Sequence, residues 1–316
     1  GLHSGKSQIL RFFLVKGEMA DALQDPLLAE ATHEQITVSR GTDLIMCCNY
    51  SSKSSRPFVF PLNGPTGLPL TWNEPPDHVH HKSLWVAHGD VNQNDIWSEL
   101  PNHGIITTRG TPRVVAGPVF SEITMYLTWS SFLSEKLLEE RRTIRLWNAP
   151  DRQWLLDHES FFSAPYRDVL FGDTKEAGAI CVRVRESMEV ENGGRIENSW
   201  GGINEVKTWG KKANWCDYSG PVDGTWQGIA ILDAPENPRQ PTYWHVRDYG
   251  LMTANVFGAT IFNGEPHERG GLLMRRDEKL EFKYRICVHN GDSHVAEIAQ
   301  RYSDYASPPK ISASLI

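Results

Sequence analysis

The sequence predicts an all-β fold in which antiparallel strands form a sandwich or a barrel, closed by one short C-terminal helix. Three observations predict it. Runs rich in β-branched and aromatic residues recur along the chain. Clusters of Gly, Pro, Asn and Asp separate these runs about every ten residues, a spacing typical of antiparallel sandwiches and barrels. Clear helical periodicity occurs only near the end of the chain.

The first half of the chain supplies strands on both sides of a polar, histidine-rich block. Residues 37–50 alternate strand-like runs around a Gly-Thr-Asp turn. The apolar run Ser-Leu-Trp-Val-Ala-His at 83–88 is followed by Gly89 and Asp90, so we expect a buried strand that ends there. The other strands predicted in this half cover residues 57–62, 104–110 and 119–129.

The second half repeats the pattern and adds the helix. The Glu-rich run 133–142 continues directly into Thr-Ile-Arg-Leu-Trp, so we predict one long strand with charged outward positions rather than a helix. Apolar residues within 295–302 follow a period of 3.6 and predict the helix. The remaining predicted strands cover residues 154–162, 179–190, 226–232, 242–246, 273–274 and 280–288.

We expect a single domain over residues 1–316, because no internal repeat or low-complexity linker divides the chain. Residues 1–34 are interpreted as an N-terminal extension that contains a short strand at 9–15. Residues 307–316 are interpreted as a loose tail. The sequence sets no oligomeric state.

Charge and composition exclude some classes of function. The formal net charge of −7 argues against a sequence-independent nucleic-acid binder, which needs a basic surface. No apolar run approaches the roughly 20 residues of a membrane span. The five cysteines are odd in number and form no C-x-x-C, so we expect reduced, mostly buried thiols in a cytoplasmic protein. A signal peptide removed ahead of Gly1 stays compatible with these residues.

The densest chemical cluster runs from Asp77 to Glu99 and contains four of the 12 histidines, four acids and two tryptophans. Histidine titrates nearest to neutral pH and is the commonest metal ligand, and neighbouring carboxylates can orient its ring. Strand-like alternation would put His78 and His80 on one face and His81 on the other. We therefore do not expect all four histidines at one centre.

Two other segments combine titratable side chains more densely than a surface loop requires. Residues 171–176 crowd an acid, a lysine and a hydroxyl into a turn. In the segment 244–250, alternation puts His245, Arg247 and Tyr249 on one face of a strand. Because the burial of unpaired polar groups is costly, we expect these three side chains to line a polar cavity.

Two further segments favour structural roles. The Gly-rich bend at 193–202 lacks the strand–glycine–helix setting of a dinucleotide site. Residues 208–217 place two tryptophans around two lysines, and we interpret them as a basic loop packed by its rings, with sugar or anion binding as the alternative.

Five blocks of sequence resemble the PmoA-like family of bacterial proteins, whose label derives from methane oxygenase. In chain order they are PFVFPLNGPTGLPLT, DHVHHKSLWVAHGDVNQNDIW, FGDTKEAG, WGKKANWCDYSG and WHVRDYGLMTANVFG. The resemblance implies an antiparallel β-sandwich of the galactose-mutarotase-like or supersandwich type. It also implies a saccharide substrate, because members occur beside sugar oxidoreductases and carbohydrate-degrading enzymes. The methane-oxygenase label itself finds no support, because the chain has no membrane span and no copper-binding arrangement.

Together these features predict a carbohydrate-active enzyme that uses His and carboxylate acid–base chemistry on a sugar or glycoside. Hydrolysis, β-elimination and epimerisation, including reaction of an oxidised 3-keto sugar, are the reactions that fit. The expected catalytic residues are His81, His88, Asp90, Glu176, His245 and Arg247. The expected substrate-binding residues are Trp85, Trp97, Lys175, Trp209, Tyr249 and Asn255.

Within this mechanism, His81 and His88 would transfer protons and Asp90 would orient a ring. Glu176 would act as a carboxylate base. Lys175 and Arg247 would stabilise developing negative charge, and His245 and Tyr249 would be further proton-transfer or hydroxyl-binding groups.

Two alternatives accompany this prediction. A divalent metal could be held by His80, His81, His88 and Asp90, although their spacing matches no strong metal motif. A non-catalytic carbohydrate-binding or sensing module would need only the aromatic rings and hydrogen-bonding partners.

Overall fold

The computed structural model describes residues 25–149, 153–264 and 270–308, and strands make up most of the regular structure in these ranges. In chain order the strands are β1 (Leu27–Ala31), β2 (Gln35–Arg40), β3 (Asp43–Asn49), β4 (Phe58–Leu62), β5 (Leu84–Val91), β6 (Asn94–Ile96), β7 (Ile105–Thr108), β8 (Arg113–Ala116), β9 (Phe120–Ser130), β10 (Lys136–Trp147), β11 (Trp154–Ser163), β12 (Val169–Phe171), β13 (Ala177–Arg183), β14 (Arg195–Asn198), β15 (Lys211–Lys212), β16 (Trp215–Val222), β17 (Thr225–Asp233), β18 (Tyr243–Val246), β19 (Leu251–Asn255), β20 (Leu272–Met274) and β21 (Lys279–Asn290). The helices are α1 (Asn204–Thr208), α2 (Ala259–Asn263) and α3 (Ile298–Ala306).

These strands form two antiparallel sheets. The first has the order β1-β2-β3-β4-β5-β13-β19-β18-β15, with β6 and β12 paired to β5 and β20 paired to β12. The second has the order β14-β16-β17-β21-β11-β10-β9-β7, with β8 paired to β9. One hydrophobic cluster takes side chains from both sheets, for example Val38 and Val86 from the first and Leu127 and Ile231 from the second. The predicted fold class is therefore confirmed as a two-sheet antiparallel β-sandwich with a short C-terminal helix.

The long strand expected from the Glu-rich run is present as β10, but two of its charges point inward. Glu140 and Arg142 are buried, and Arg142 donates from Nε and Nη2 to the two carboxylate oxygens of Glu140 at 2.7 and 2.9 Å. Trp129 and Ser160 donate to the same carboxylate. Because a buried ion pair is tolerated when its hydrogen bonds are satisfied, the strand can carry these charges in the core.

Other predicted boundaries shift. Strand β5 continues through Gly89 and Asp90 to Val91, because Asp90 Oδ1 accepts the backbone N–H of Gln93 and closes the hairpin later than expected. The strand expected at 179–190 ends at Arg183 and gives way to two short 3₁₀ turns.

Several elements were not expected from the sequence, chiefly the short strands β1, β6, β8, β12, β14 and β15, together with β16, β19 and the helices α1 and α2. Strand β1 lies inside the stretch interpreted as an N-terminal extension. The strand predicted at 9–15 and the tail residues 309–316 lie outside the described residues.

All five cysteines are buried free thiols, as expected. In the described ranges, no helix has both the length and the apolar character that a bilayer crossing requires.

The alternation of side chains in the middle of the first sheet sets up the site. On β5, Leu84 and Val86 join the core between the sheets, whereas Trp85 and Ala87 belong to a separate cluster on the opposite face. Cys181 of β13 and Leu251 of β19 belong to that second cluster as well, together with Phe58 and Trp97. We call this side the outer face of the first sheet and this second group of apolar side chains the outer-face cluster.

Candidate functional site

A cavity of about 490 Å³ lies on the outer face of the first sheet. Residues from five parts of the chain build it: the loop before β5, β5 itself, β6 with the residues after it, the loop before β13, and the stretch from β18 to β19. Its lining residues are His78, His80, His81, Gly89, Asp95, Trp97, Ser98, Thr174, Lys175, Glu176, His245, Arg247, Tyr249 and Leu251.

The structure brings together a majority of the side chains expected at the site. Of the expected catalytic residues, His81, Glu176, His245 and Arg247 line the cavity, and of the expected binding residues, Trp97, Lys175 and Tyr249 do. His80, expected only as a metal ligand, lines it too. The cavity lining does not include His88, Asp90, Trp85, Trp209 or Asn255.

Three histidines gather at the cavity because residues 77–81 form turns rather than the alternating strand expected from the sequence. The ring of His78 stacks on His81 with centroids 4.6 Å apart and on Tyr249 at 4.7 Å. His81 in turn stacks on Trp85 at 5.3 Å, so four rings form a column from Tyr249 to Trp85. His80 packs edge-on against His81 at 4.7 Å.

His78 is oriented by its chain neighbour Asp77. Asp77 Oδ2 lies 2.8 Å from His78 Nδ1 and also accepts from Arg183 Nη2 at 2.9 Å. Burial would raise the pKa of Asp77, but the hydrogen bonds from His78 and Arg183 hold it below its usual value. A carboxylate can only accept, so Nδ1 carries the proton and the neutral ring keeps a lone pair on Nε2.

His81 has the opposite tautomer. Its Nδ1 lies 3.4 Å from Arg183 Nη1, and a guanidinium can only donate, so the neutral ring carries its proton on Nε2. Burial, followed by the positive charges of neighbouring groups, lowers the pKa of His81 far below its usual value. His81 is therefore a neutral hydrogen-bond donor at physiological pH.

His245 is held in the same tautomer by Trp209. The indole Nε1–H of Trp209 donates to His245 Nδ1 at 2.9 Å. Burial, with the charges of Lys175 and Arg247 beside it, lowers the pKa of His245 to about 3. The ring thus stays neutral with Nε2–H as its donor, and Trp209 acts from behind it rather than as a cavity wall.

Arg183 organises this part of the site, although the sequence analysis did not single it out. It is 1% exposed and pairs with Asp77 and Glu189, each at 2.9 Å. Its guanidinium lies 5.0 Å from the Tyr249 ring centroid and 5.8 Å from that of Trp72. A charged residue two positions after Cys181 in an otherwise apolar strand was the available signal.

The loop before β13 brings Lys175 and Glu176 into the cavity. Lys175 Nζ and Glu176 Oε1 are 2.6 Å apart. Asn255, expected to bind substrate, instead donates from Nδ2 to the backbone carbonyls of Thr174 and Lys175, each at 3.0 Å. Gly89 donates its N–H to the carbonyl of Glu176 at 2.7 Å, so both sides of this loop are fixed.

Arg247 and Tyr249 close the wall after β18. Arg247 Nε lies 3.3 Å from Glu205 Oε1, and Glu205 Oε2 accepts the backbone N–H of Asp248. The Arg247 guanidinium lies 5.4 Å from the ring of Tyr249. Burial raises the pKa of Tyr249 to about 12, so its hydroxyl stays protonated at neutral pH.

The segment after β6 contributes Trp97 and is anchored by buried charges. Arg56 donates to the carbonyl of Trp97 at 3.0 Å and pairs with Glu99 at 3.2 Å. Lys82 pairs with Glu99 and with Glu74 at 3.2 and 2.6 Å. This network keeps the indole of Trp97 against the cavity.

Asp95 lies in β6, two residues before Trp97, and its carboxylate accepts hydrogen bonds from the residues that follow. Its Oδ1 accepts the backbone N–H groups of Trp97 and Ser98 at 2.7 and 3.0 Å, and Oδ2 accepts from the Ser98 hydroxyl. Burial would raise its pKa, but these hydrogen bonds hold it below its usual value.

His88 lies on the other face of β5 from the cavity. It shares its face with Leu84 and Val86, and its ring packs against Phe171 and Phe257 at 5.4 and 4.7 Å. Burial lowers the pKa of His88 to about 3. The alternation within 83–88 already indicates that His88 faces the core with Leu84 and Val86. We therefore assign no catalytic role to His88.

Asp90 and Trp85 also have structural positions. Asp90 closes the β5–β6 hairpin and donates its backbone N–H to His88 Nδ1 at 3.0 Å. Trp85 is 1% exposed and supports the column of rings from below, 5.8 Å from Trp97.

The expected metal ligands do not form one group. His80 and His81 line the cavity, whereas His88 and Asp90 lie elsewhere. Within the described residues, no group of three or more His, Cys, Asp or Glu side chains is arranged to hold a metal ion. We therefore derive no step through a metal.

Residues 36–303 match the model of DUF6807, described as a family of unknown function. No curated protein matches the chain. The match to DUF6807 corrects the resemblance to the PmoA-like family, because the family model assigns the chain to DUF6807 instead. Three of the five blocks behind that resemblance, at 77–97, 171–178 and 244–258, include segments that build the cavity.

Several solved structures match the chain at low similarity. The α-galactosidase from Lactobacillus brevis is 9% identical with a TM-score of 0.38, and the match covers 88% of this chain and 41% of that one. The heparan sulfate lyase HepC mutant from Pedobacter heparinus is 10% identical with a TM-score of 0.37, and the match covers 91% of this chain and 38% of that one. The GalM/aldose epimerase homologue from C. elegans is 8% identical with a TM-score of 0.35, and the match covers 84% of this chain and 98% of that one. The chain thus spans about two fifths of the length of the first two.

Proposed function

Since this chain belongs to DUF6807, a family of unknown function, we propose its activity from the cavity itself: acid–base proton transfer on a sugar-like substrate. The site residues proposed to act are His78 as the base, with His81, His245, Lys175 and Arg247 as groups that stabilise negative charge.

One observation carries the proposal: the hydrogen bonds to three of the four imidazoles at the cavity assign them two different tautomers. Asp77 fixes His78 with a free lone pair on Nε2, which can accept a proton. Arg183 and Trp209 fix His81 and His245 with Nε2–H, which can only donate. The division between an acceptor and two donors matches the needs of a reaction that removes a proton and builds negative charge on oxygen.

This arrangement favours proton removal from a carbon next to a carbonyl group over hydrolysis by paired carboxylates. A glycosidase of the common kind needs two carboxylates flanking the bond. Of the two acids among the cavity-lining residues, Asp95 is engaged by its local hydrogen bonds, which leaves Glu176 beside Lys175.

The proposed step begins when His78 Nε2 takes the proton from the carbon next to the carbonyl. The C–H electron pair forms a C=C bond, and the carbonyl π pair moves to oxygen as an enolate. Nε2–H of His81 and of His245, together with the two cations, would stabilise that oxygen. If water then gives a proton to the other face of that carbon while the enolate collapses to the carbonyl, the product is the epimer and His78 returns its proton to water. If instead the C–O bond of the next carbon breaks, the leaving oxygen takes the electron pair and a proton from water, the carbonyl re-forms, and the result is β-elimination.

The size and lining of the cavity suit a sugar ring. Its volume of about 490 Å³ falls within the range typical of small-molecule sites. Trp97 and Tyr249 supply aromatic surfaces, and Glu176 supplies carboxylate oxygens for hydroxyl groups.

The test follows proton exchange rather than product alone. Wild type would be incubated in D₂O with a panel of 3-keto-glycosides, and deuterium at the carbon next to the carbonyl would be followed by NMR. The parent glycosides, which have no carbonyl group, serve as substrate controls. We expect His78→Asn to lower exchange by roughly 10²- to 10⁴-fold, because it removes the base. His33→Asn changes a histidine whose side chain is 90% exposed and serves as the control.

Exchange that persists in His78→Asn would remove His78 from the mechanism. Sugar binding without exchange or turnover by wild type would instead support the non-catalytic binding module.

A further inference from the structure

A second cavity, of about 320 Å³, lies at the part of the first sheet formed by β4 and the end of β13. Phe60 and Trp72 supply its aromatic surfaces, and Arg185 and Glu186 supply its charges. Neither its residues nor its chemistry is used by the proton-transfer step proposed above.

The two cavities share a floor. Phe60 packs on the outer-face cluster, and Tyr249 packs on the same cluster. Trp97 and Leu251 of that cluster, together with Tyr249, line the first cavity. The apolar floor therefore continues from one cavity to the other.

Buried Arg183 lies near one aromatic ring of each cavity. The Arg183 guanidinium lies 5.0 Å from the Tyr249 ring of the first cavity and 5.8 Å from the Trp72 ring of the second. Arg183 holds Asp77 at 2.9 Å, and Asp77 holds His78 at 2.8 Å. The proposed base is thus linked through Asp77 to Arg183, whose guanidinium lies near a ring of each cavity.

We propose that the second cavity is a subsite for the second ring of a two-ring glycoside whose reacting sugar occupies the first cavity. The inference rests on the proposed function, because it places that substrate's first ring beside His78.

The lining matches such a ring. The rings of Phe60 and Trp72 offer apolar surfaces on which a sugar or aryl ring can pack. Arg185 spends Nη1 on the carbonyl of Pro69 at 3.2 Å, which fixes its guanidinium beside the cavity. Glu186 is exposed and can accept hydrogen bonds from hydroxyl groups.

The experiment compares one-ring with two-ring probes. Dissociation constants would be measured by calorimetry for methyl β-D-glucoside, phenyl β-D-glucoside and cellobiose, and for the matched α-gluco and galacto series. In wild type we expect a two-ring probe to bind about five- to tenfold more tightly than the methyl glycoside, because of the added ring packing. A gain for phenyl alone identifies an aryl group, and a gain for the disaccharide identifies a second sugar.

Trp72→Ala should abolish this gain, measured as the ratio of the dissociation constants of the methyl and two-ring probes for the same variant. Trp226→Ala, which changes a partly exposed tryptophan of the second sheet, should keep the gain. Glu186→Ala is a second variant at an exposed position, and it should weaken the disaccharide more than the phenyl glycoside.

Equal binding of one- and two-ring probes by wild type, or a gain that survives both Trp72→Ala and Glu186→Ala, would overturn the subsite. The proposed function would stand in that case if the methyl glycoside binds and His78-dependent exchange persists. If none of the probes binds to wild type, the subsite falls, and exchange with 3-keto-glycosides then decides separately whether the proton-transfer proposal survives.

Discussion

At the scale of single residues, one hydrogen bond decides what an imidazole can do. Trp209 has a donor and no acceptor on its indole nitrogen, so its contact with His245 Nδ1 at 2.9 Å leaves Nε2–H as the only polar edge of that ring free for the cavity. Removing the indole donor should change the chemistry of the site without changing any group that lines it.

We expect Trp209→Phe to let His245 sample both neutral tautomers and to lower kcat by about tenfold with a smaller effect on KM. The measurement is ¹⁵N NMR of the histidine side chains, in which wild-type His245 should show an unprotonated Nδ1 and a protonated Nε2 at neutral pH. Trp200→Phe, at a residue that is 73% exposed, is the control and should keep the wild-type spectrum. An unchanged His245 tautomer in Trp209→Phe would contradict this role of the indole.

His88 provides a prediction about stability against pH. Burial lowers the pKa of His88 in the folded state to about 3, whereas its pKa in the unfolded chain is near 6.5. At a pH between these two values, the unfolded chain therefore binds a proton that the folded chain does not. The contribution of neutral His88 to the free energy of unfolding is fully present above about pH 6.5 and is lost as the pH falls. The loss is about 2 kcal/mol at pH 5.

His88→Asn should therefore flatten the decrease in unfolding free energy between pH 6.5 and pH 5, measured by urea denaturation. Asparagine Oδ1 can still accept the Asp90 N–H that His88 Nδ1 accepts at 3.0 Å. His33→Asn should keep the wild-type slope, and proton exchange on the substrate should be unaffected by either change. A wild-type slope in His88→Asn would show that this imidazole is not held neutral.

How far the sequence could identify the site is clearest from His78 and His88. Both lie in the same histidine-rich block, and composition alone favours neither. Alternation along 83–88 could have assigned His88 to the core, because Leu84 and Val86 share its face. His78 depends on a turn and on Arg183, which lies more than a hundred residues away in the chain, so local pattern could not reveal it.

At the scale of elements, the loop before β13 is positioned by a side chain that never reaches the cavity. Asn255 is buried and uses its amide fully: it donates to the carbonyls of Thr174 and Lys175 and accepts from the N–H groups of Phe257 and Gly258. Its removal should free the loop that presents Lys175 and Glu176.

We expect Asn255→Ala to cost about 1–3 kcal/mol of stability, because buried backbone groups lose their partners, and to lower kcat/KM as well. Asn237→Ala is the matched control: Asn237 is also buried and bonds the backbone of Lys283 and the Asp233 carboxylate, away from the cavity. Thermal unfolding and kinetics of both variants would be compared. Equal kinetic losses in the two would show that Asn255 acts only through overall stability.

Strands were easier to predict than their ends or their inward charges. β10 followed from the continuity of its run, because the sequence passes from charged to apolar alternation without a turn residue. The sequence could not predict that Glu140 and Arg142 point inward. Two charges can be buried there because Trp129 and Ser160, from other strands, complete the hydrogen bonds of the Glu140 carboxylate.

At the scale of the whole molecule, sheet order assembles the cavity. β5 and β18 are far apart in the chain, yet they are joined through β13 and β19 in the middle of the first sheet. The sequence predicted β-strands and an antiparallel sandwich or barrel, but pairing between distant strands is set by tertiary packing. Of the residues predicted to act together, His81, His245, Arg247 and Tyr249 line the cavity, whereas His88 does not.

The first cavity draws all its walls from the first sheet and the loops attached to it. The far side of the molecule, around β8, β9 and β10, is therefore a suitable place to attach the protein to a surface or to another protein. A linker, affinity surface or fused partner attached there would leave the mouth of the cavity open to small molecules.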